Sequence, residues 1–162
     1  YGTAIAILRR AVKLVPYDLG TWGYFGWPLV ATGAPESLEE LHQILDRLLS
    51  TSPQHPGRVY WLFHRSVAFV CADECERALE AARGCTIDQP QFSLGLMHLA
   101  NALGRLGRTA EAPAAAEQCL ASNPLMTPAY YAQLMAVLSD QRGVVERRTQ
   151  GLRTAGLLGN GG

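Results

Sequence analysis

The chain has 162 residues, 48% of them hydrophobic and 17% charged, with 14 basic against 14 acidic side chains. That length allows one domain with a real core, and the composition excludes a disordered segment, collagen or a disulfide scaffold. Balanced charge gives no general pull toward nucleic acid or anionic membrane, and the charge-free run 19–35 is broken by glycines and prolines well before the roughly 20 apolar residues of a membrane span. Apolar spacing predicts nine helices in chain order, over 2–14, 19–32, 36–51, 57–71, 73–86, 91–105, 109–121, 126–140 and 143–155. In the second, Gly20, Gly23 and Gly26 permit close approach of a neighbouring helix. The third opens on Glu36, Glu39 and Glu40, which complement the helix dipole. The sixth is the clearest, with Leu96, Leu99, Leu103 and Leu106 recurring at three and four. In the seventh, Thr109 stands where an N-cap would stand, Ala112, Ala116 and Leu120 face inward, and Pro113 predicts a slightly displaced start. Short turns make sequential helices antiparallel neighbours, and no stretch alternates as a strand would.

The chain also repeats itself. Pro56, Pro90 and Pro124 are each 34 apart, and the same shift matches Leu62 with Leu96, His64 with His98, Ala68 with Ala102, Ala78 with Ala112, Ala81 with Ala115, Ala82 with Ala116 and Cys85 with Cys119. Most of these positions are small or apolar, as expected where helices of stacked units meet.

A 34-residue helix-turn-helix period of this kind resembles the tetratricopeptide repeat family. The segment from Leu19 supplies Trp22, Phe25, Gly26, Leu29 and Gly33. That from Ser93 supplies Leu96, Leu99, Ala100, Leu103, Gly107, Ala112, Cys119 and Pro124. The segment from Val59 fits at Leu62, Phe69, Ala78, Cys85 and Pro90 but departs at Arg65, Ser66 and Asp73. The last, from Thr127, keeps Tyr130, Leu134 and Val137 and then drifts. The resemblance implies an all-α, right-handed solenoid of antiparallel hairpins over 1–157. It divides into a half repeat at 1–18, repeats at about 19–55, 59–92 and 93–126, a degenerate capping repeat at 127–157, and a flexible tail at 158–162. Tyr1, Ala4, Ala11 and Pro16 fit the second helix of a unit, so the chain is expected to begin inside a longer array. The run Gly151 to Leu157 is similar to the end of repeat arrays attached to bacterial adenylate cyclase-type and winged-helix regulators. Thirteen arginines against a single lysine also point to a bacterial gene.

In such repeats the first helices line a concave groove, which here implies Trp27, Tyr60, Phe63, Val67, Met97, Asn101, Arg105, Tyr131 and Met135. An aromatic and methionine-rich groove suits a helix or apolar peptide; the alternative is that these residues pack internally. The lysines of a carboxylate clamp are missing, since Phe63 and Met97 stand where one is expected, which leaves Asn101 to bond a ligand backbone. The implied function is a non-enzymatic protein-interaction module. The alternative is a C-terminal regulatory arm of a nucleotide cyclase or transcription regulator, contacting its own upstream domain. His64, Cys71 and Cys75 are imaginable as metal ligands, but small buried thiols explain the cysteines better. No metal, cofactor, nucleic acid or membrane partner is expected, and no catalytic set stands out. Gly104–Gly107 lacks the Lys and Ser or Thr of a phosphate loop. The basic last helix, with Arg142, Arg147, Arg148 and Arg153, is expected to be a solvated face. Four scattered cysteines fit a reducing compartment, the cytoplasm.

Overall fold

The computed structural model describes residues 1–139 and 142–159. Among these residues there are ten helices and no strand: α1 (Gly2–Leu14), α2 (Leu19–Gly23), α3 (Gly26–Thr32), α4 (Pro35–Thr51), α5 (Arg58–Cys71), α6 (Cys75–Asp88), α7 (Ser93–Arg105), α8 (Ala112–Ser122), α9 (Pro128–Val137) and α10 (Arg142–Thr154). None is long and apolar enough to cross a membrane.

The helix expected over 19–32 is broken in two. Pro28 has no N–H to give the Tyr24 carbonyl, and the chain tightens there instead, with Phe25 N–H bonded to the Trp22 carbonyl at 3.2 Å. Thr109 is not the cap of α8, which begins at Ala112. Starting after Thr109 would put Pro113 where an intrahelical donor is required; starting at Ala112 leaves Pro113 in the first turn, where none is.

Three helices end alike. Glu74, Arg108 and Leu157 each return their N–H to the carbonyl five residues back, Phe69, Leu103 and Leu152, at 2.9 Å. The turn needs a left-handed residue, and Asp73, Gly107 and Gly156 supply it with φ of 64°, 71° and 70°. Asp73, a departure from the repeat pattern, therefore occupies the conformation that Gly107 holds 34 residues later. The last of these turns brings Leu157 and Leu158 onto the core, so the expected flexible tail is packed at Leu158, while 160–162 lie outside the described residues.

Among consecutive helices, α5 packs most extensively on α6, α7 on α8, and α6 on α7. Two apolar clusters result. One joins α1 to α5 around Phe25, Leu29, Leu41, Leu48, Phe63 and Val67; the other joins α6 to α10 around Leu96, Met97, Leu103, Tyr131, Met135 and Leu152. Trp27 and Leu94 pack against both. The sequence period is visible in contacts: Cys85 and Cys119 point their thiols at the carbonyls of Val59 and Ser93, at 3.5 and 3.2 Å.

Candidate functional site: a helix seat and an aromatic cavity

The last helix does not pack mainly on its hairpin partner. α10 lies chiefly on α7, with further contact to α9 and α5, and its N-terminal half reaches α3. It thus runs along the face made by the first helices of successive hairpins, which carries most of the residues expected to line a groove.

Two glycines bring α10 onto α7. A Cβ on Gly104 would run into the Gly151 carbonyl, and a Cβ on Gly151 into that of Asn101. With neither present the two backbones touch, and the Leu152 N–H reaches the Asn101 side-chain oxygen at 3.2 Å. At the other end, Val144 packs over Gly33, and the Arg148 guanidinium donates to the Val30 carbonyl at 2.6 Å. The Ser139 hydroxyl donates to the next carbonyl, Ala31, at 2.9 Å. Both meet the C-terminal end of α3, where the helix dipole favours a cation. Arg148 is fully buried, not on a solvated face as expected, and its Nε and Nη1 find no acceptor.

Arg105 pins the seat from the side. Its Nη1 donates to the Arg147 carbonyl at 3.0 Å and to Gln150 at 2.9 Å, while Nη2 pairs with Asp73. The large apolar anchors that α10 itself buries fully are Val144 and Leu152. At about 1.5–3 kcal/mol each, they hold a helix that also carries a buried, largely unpartnered charge, which is costly.

The expected groove residues divide accordingly. Phe63, Val67, Met97, Asn101, Tyr131 and Met135 are buried, because α10 and neighbouring helices cover them. Asn101 bonds a backbone, but that of α10. Arg105 is engaged as described. Trp27 is half-buried and Tyr60 is 52% exposed; both line an open cavity of about 360 Å³ with Gly20, Gly23, Tyr24, Gly57, Trp61 and His64. The glycine approach expected in this region is seen here: Gly26 lies directly under the His64 ring, and a Cβ on Gly23 would stand 2.9 Å from the Trp61 indole nitrogen.

Two repeat-related histidines lie at the heart of the molecule. Burial lowers both pKa values from 6.5 to about 4, so each is neutral at pH 7. His98 shares a 2.5 Å hydrogen bond between its Nδ1 and the Tyr131 hydroxyl. His64 has no partner at either ring nitrogen. Burial also pushes the thiols of Cys85 and Cys119 up, to about 12 and about 11. His64, Cys71 and Cys75 are not brought together, and among the described residues no group of three or more His, Cys, Asp or Glu is placed to hold a metal. On the opposite side of α5, an open groove of about 900 Å³ carries five arginines, four of them paired with Asp88, Asp46, Glu74 and Glu111.

No family model, curated protein or solved structure matches the chain. Function is read from the α10 seat and the aromatic cavity. Sequence periodicity does not show the seat, because Gly104 reads as part of a turn and Gly151 as part of a helix end; their juxtaposition exists only once α10 has folded back.

Proposed function

We propose that the chain is a non-enzymatic protein-interaction module of tetratricopeptide-like solenoid type, whose first-helix face receives a helix. The observation that carries this reading is α10 itself: a helix already rests there, held by a glycine-to-glycine crossing and by hydrogen bonds to the Val30 carbonyl and the Asn101 side chain. A face preformed in this way binds with little ordering cost, and a partner helix with better apolar anchors would displace α10. Strongly shifted histidines often mark catalysis; here the shift follows from sealing both rings in the core, away from substrate. Four free cysteines fit a reducing, cytoplasmic setting.

The test uses the Gly151→Val chain, in which α10 can no longer sit against Asn101. A fluorescent peptide spanning 142–159 should bind this variant and bind the intact chain far more weakly. Equal absence of binding to both, with far-UV circular dichroism unchanged, would remove the reading.

A second reading, a regulatory arm of a bacterial cyclase or transcription regulator, draws on α1 and the turn after it. Ile7, Leu14 and Tyr17 are 63%, 75% and 90% exposed, an apolar surface suited to a neighbouring domain. In that case changing Ile7 and Leu14 to Ser would alter the output of the full regulator without altering the melting of this chain.

A further inference from the structure

The aromatic cavity lies between the α2–α3 corner and the N-terminal half of α5, and no α10 residue lines it. Its size, about 360 Å³, falls in the range of sites that bury small ligands. Tyr24, Trp27, Tyr60 and Trp61 give it flat apolar walls, and its lining carries no charged side chain, which leaves nothing to offset the desolvation of an ionic ligand. His64 contributes ring surface only, since both its nitrogens are sealed and the ring is pressed on Gly26.

The indoles set the cavity's hydrogen-bonding character. Of the three tryptophans, Trp22 donates its N–H to the Pro16 carbonyl at 3.0 Å. Trp27 and Trp61 line the cavity, and neither indole N–H meets an acceptor among the described residues. Trp61 is only 3% exposed, yet its nitrogen is not sealed as those of His64 are. Glycine keeps that edge open: a Cβ on Gly23 would stand 2.9 Å from the Trp61 nitrogen, and one on Gly57 3.7 Å from the adjoining ring carbon Cε2. An indole donates and never accepts. An ordinary peptide entering such a site brings one N–H with each C=O, and an N–H left unbonded there is costly. Proline brings the C=O alone. Its ring is apolar, and in the polyproline II form its carbonyls are free of internal hydrogen bonds.

We infer that this cavity takes a proline-rich segment of the partner in the polyproline II conformation, its rings against Tyr24 and Tyr60 and its backbone carbonyls accepting from the Trp27 and Trp61 indoles. A segment already extended in this way loses little ordering entropy on docking. The inference rests on the interaction-module reading and names the chemistry of a second contact with the partner, separate from the α10 seat.

The intact chain is titrated with N-acetyl-tetraproline amide, N-acetyl-tetraalanine amide and tetramethylammonium, followed by the indole N–H signals of Trp27 and Trp61 and the amide signals of Gly23 and Gly57 in NMR spectra. Tetraproline should move both indole signals downfield and bind at least about fivefold more tightly than tetraalanine, the worth of one N–H not stranded. Tyr24→Ala and Tyr60→Ala, at positions 73% and 52% exposed, should keep the fold and each weaken tetraproline binding roughly two- to tenfold, the worth of one aromatic packing contact. The inference is overturned if tetraalanine binds as well as tetraproline, if tetramethylammonium alone binds, if no probe moves the indole signals, or if both tyrosine variants bind tetraproline as the intact chain does. Because the cavity and the α10 seat share no α10 residue and α10 stays in place throughout, failure here leaves the helix-displacement test untouched, and failure of that test leaves this one readable.

Discussion

The Tyr131 hydroxyl is the clearest case in this molecule of one atom deciding a local balance. It lies in the second cluster with its ring fully buried and satisfies His98 Nδ1. Removing it by Tyr131→Phe leaves the ring packing intact but strands a buried imidazole nitrogen, at a cost of about 1–3 kcal/mol. Urea unfolding should show the loss as a lower midpoint with an unchanged slope; no change in midpoint would mean that the bond contributes nothing. His64, the same residue one repeat earlier, has no such bond to lose. Identity of residue type at repeat-related positions therefore does not carry identity of environment. The pairing of His64 with His98 was legible as a period; that one is bonded and the other is left open was not, because it depends on Tyr131 against Met97 and on Gly26.

At the scale of elements, glycine does two different jobs within four residues of α7. Gly107 closes the helix in the left-handed region with open space where a Cβ would stand, so Gly107→Ala should cost about 1–2 kcal/mol of backbone strain and leave α10 in place. Gly104 has ordinary helical geometry and the backbone of Gly151 pressed against it. Gly104→Ala should cost about 1–3 kcal/mol or more by overpacking, and the loss should be local. Hydrogen exchange should show protection falling over 142–154 in the Gly104 variant and holding there in the Gly107 variant. Loss of α10 protection in both would mean that the seat depends on the turn rather than on the crossing. Helix positions were largely readable from the apolar spacing, since 35–51, 58–71, 75–88 and 93–105 differ from expectation by a residue or two. Proline chemistry outweighed periodicity at Pro28, which splits the expected helix; at Pro113 the expected displaced start is seen, and only the Thr109 cap fails. The fate of α10 was not readable at all, because its sequence is polar enough to pass for a solvated cap and its burial of Arg148 depends on the carbonyls at the end of α3.

For the whole molecule, the two histidines sit beside different clusters, yet Trp27 and Leu94 join those clusters, so protonating either ring strains a shared core. Each folded-state pKa is depressed, from 6.5 to about 4, and burial lowers that of His42 as well. A depressed value means that the folded chain binds fewer protons than the unfolded one. The associated stability is fully present above about pH 6.5 and is lost as pH falls through 4, roughly 3 kcal/mol for each fully buried histidine at 1.36 kcal/mol per unit. The Glu111 carboxyl, held low by its hydrogen bond with Arg108, titrates on the acid side of the same window, so the fall by itself does not identify its source. The difference between two chains does: the urea midpoint of the intact protein should drop more steeply between pH 6.5 and 4 than that of His64→Phe, which has one fewer buried base to charge. Parallel curves for the two would show that His64 takes up its proton without disturbing the fold, which a sealed, unpartnered imidazole does not do.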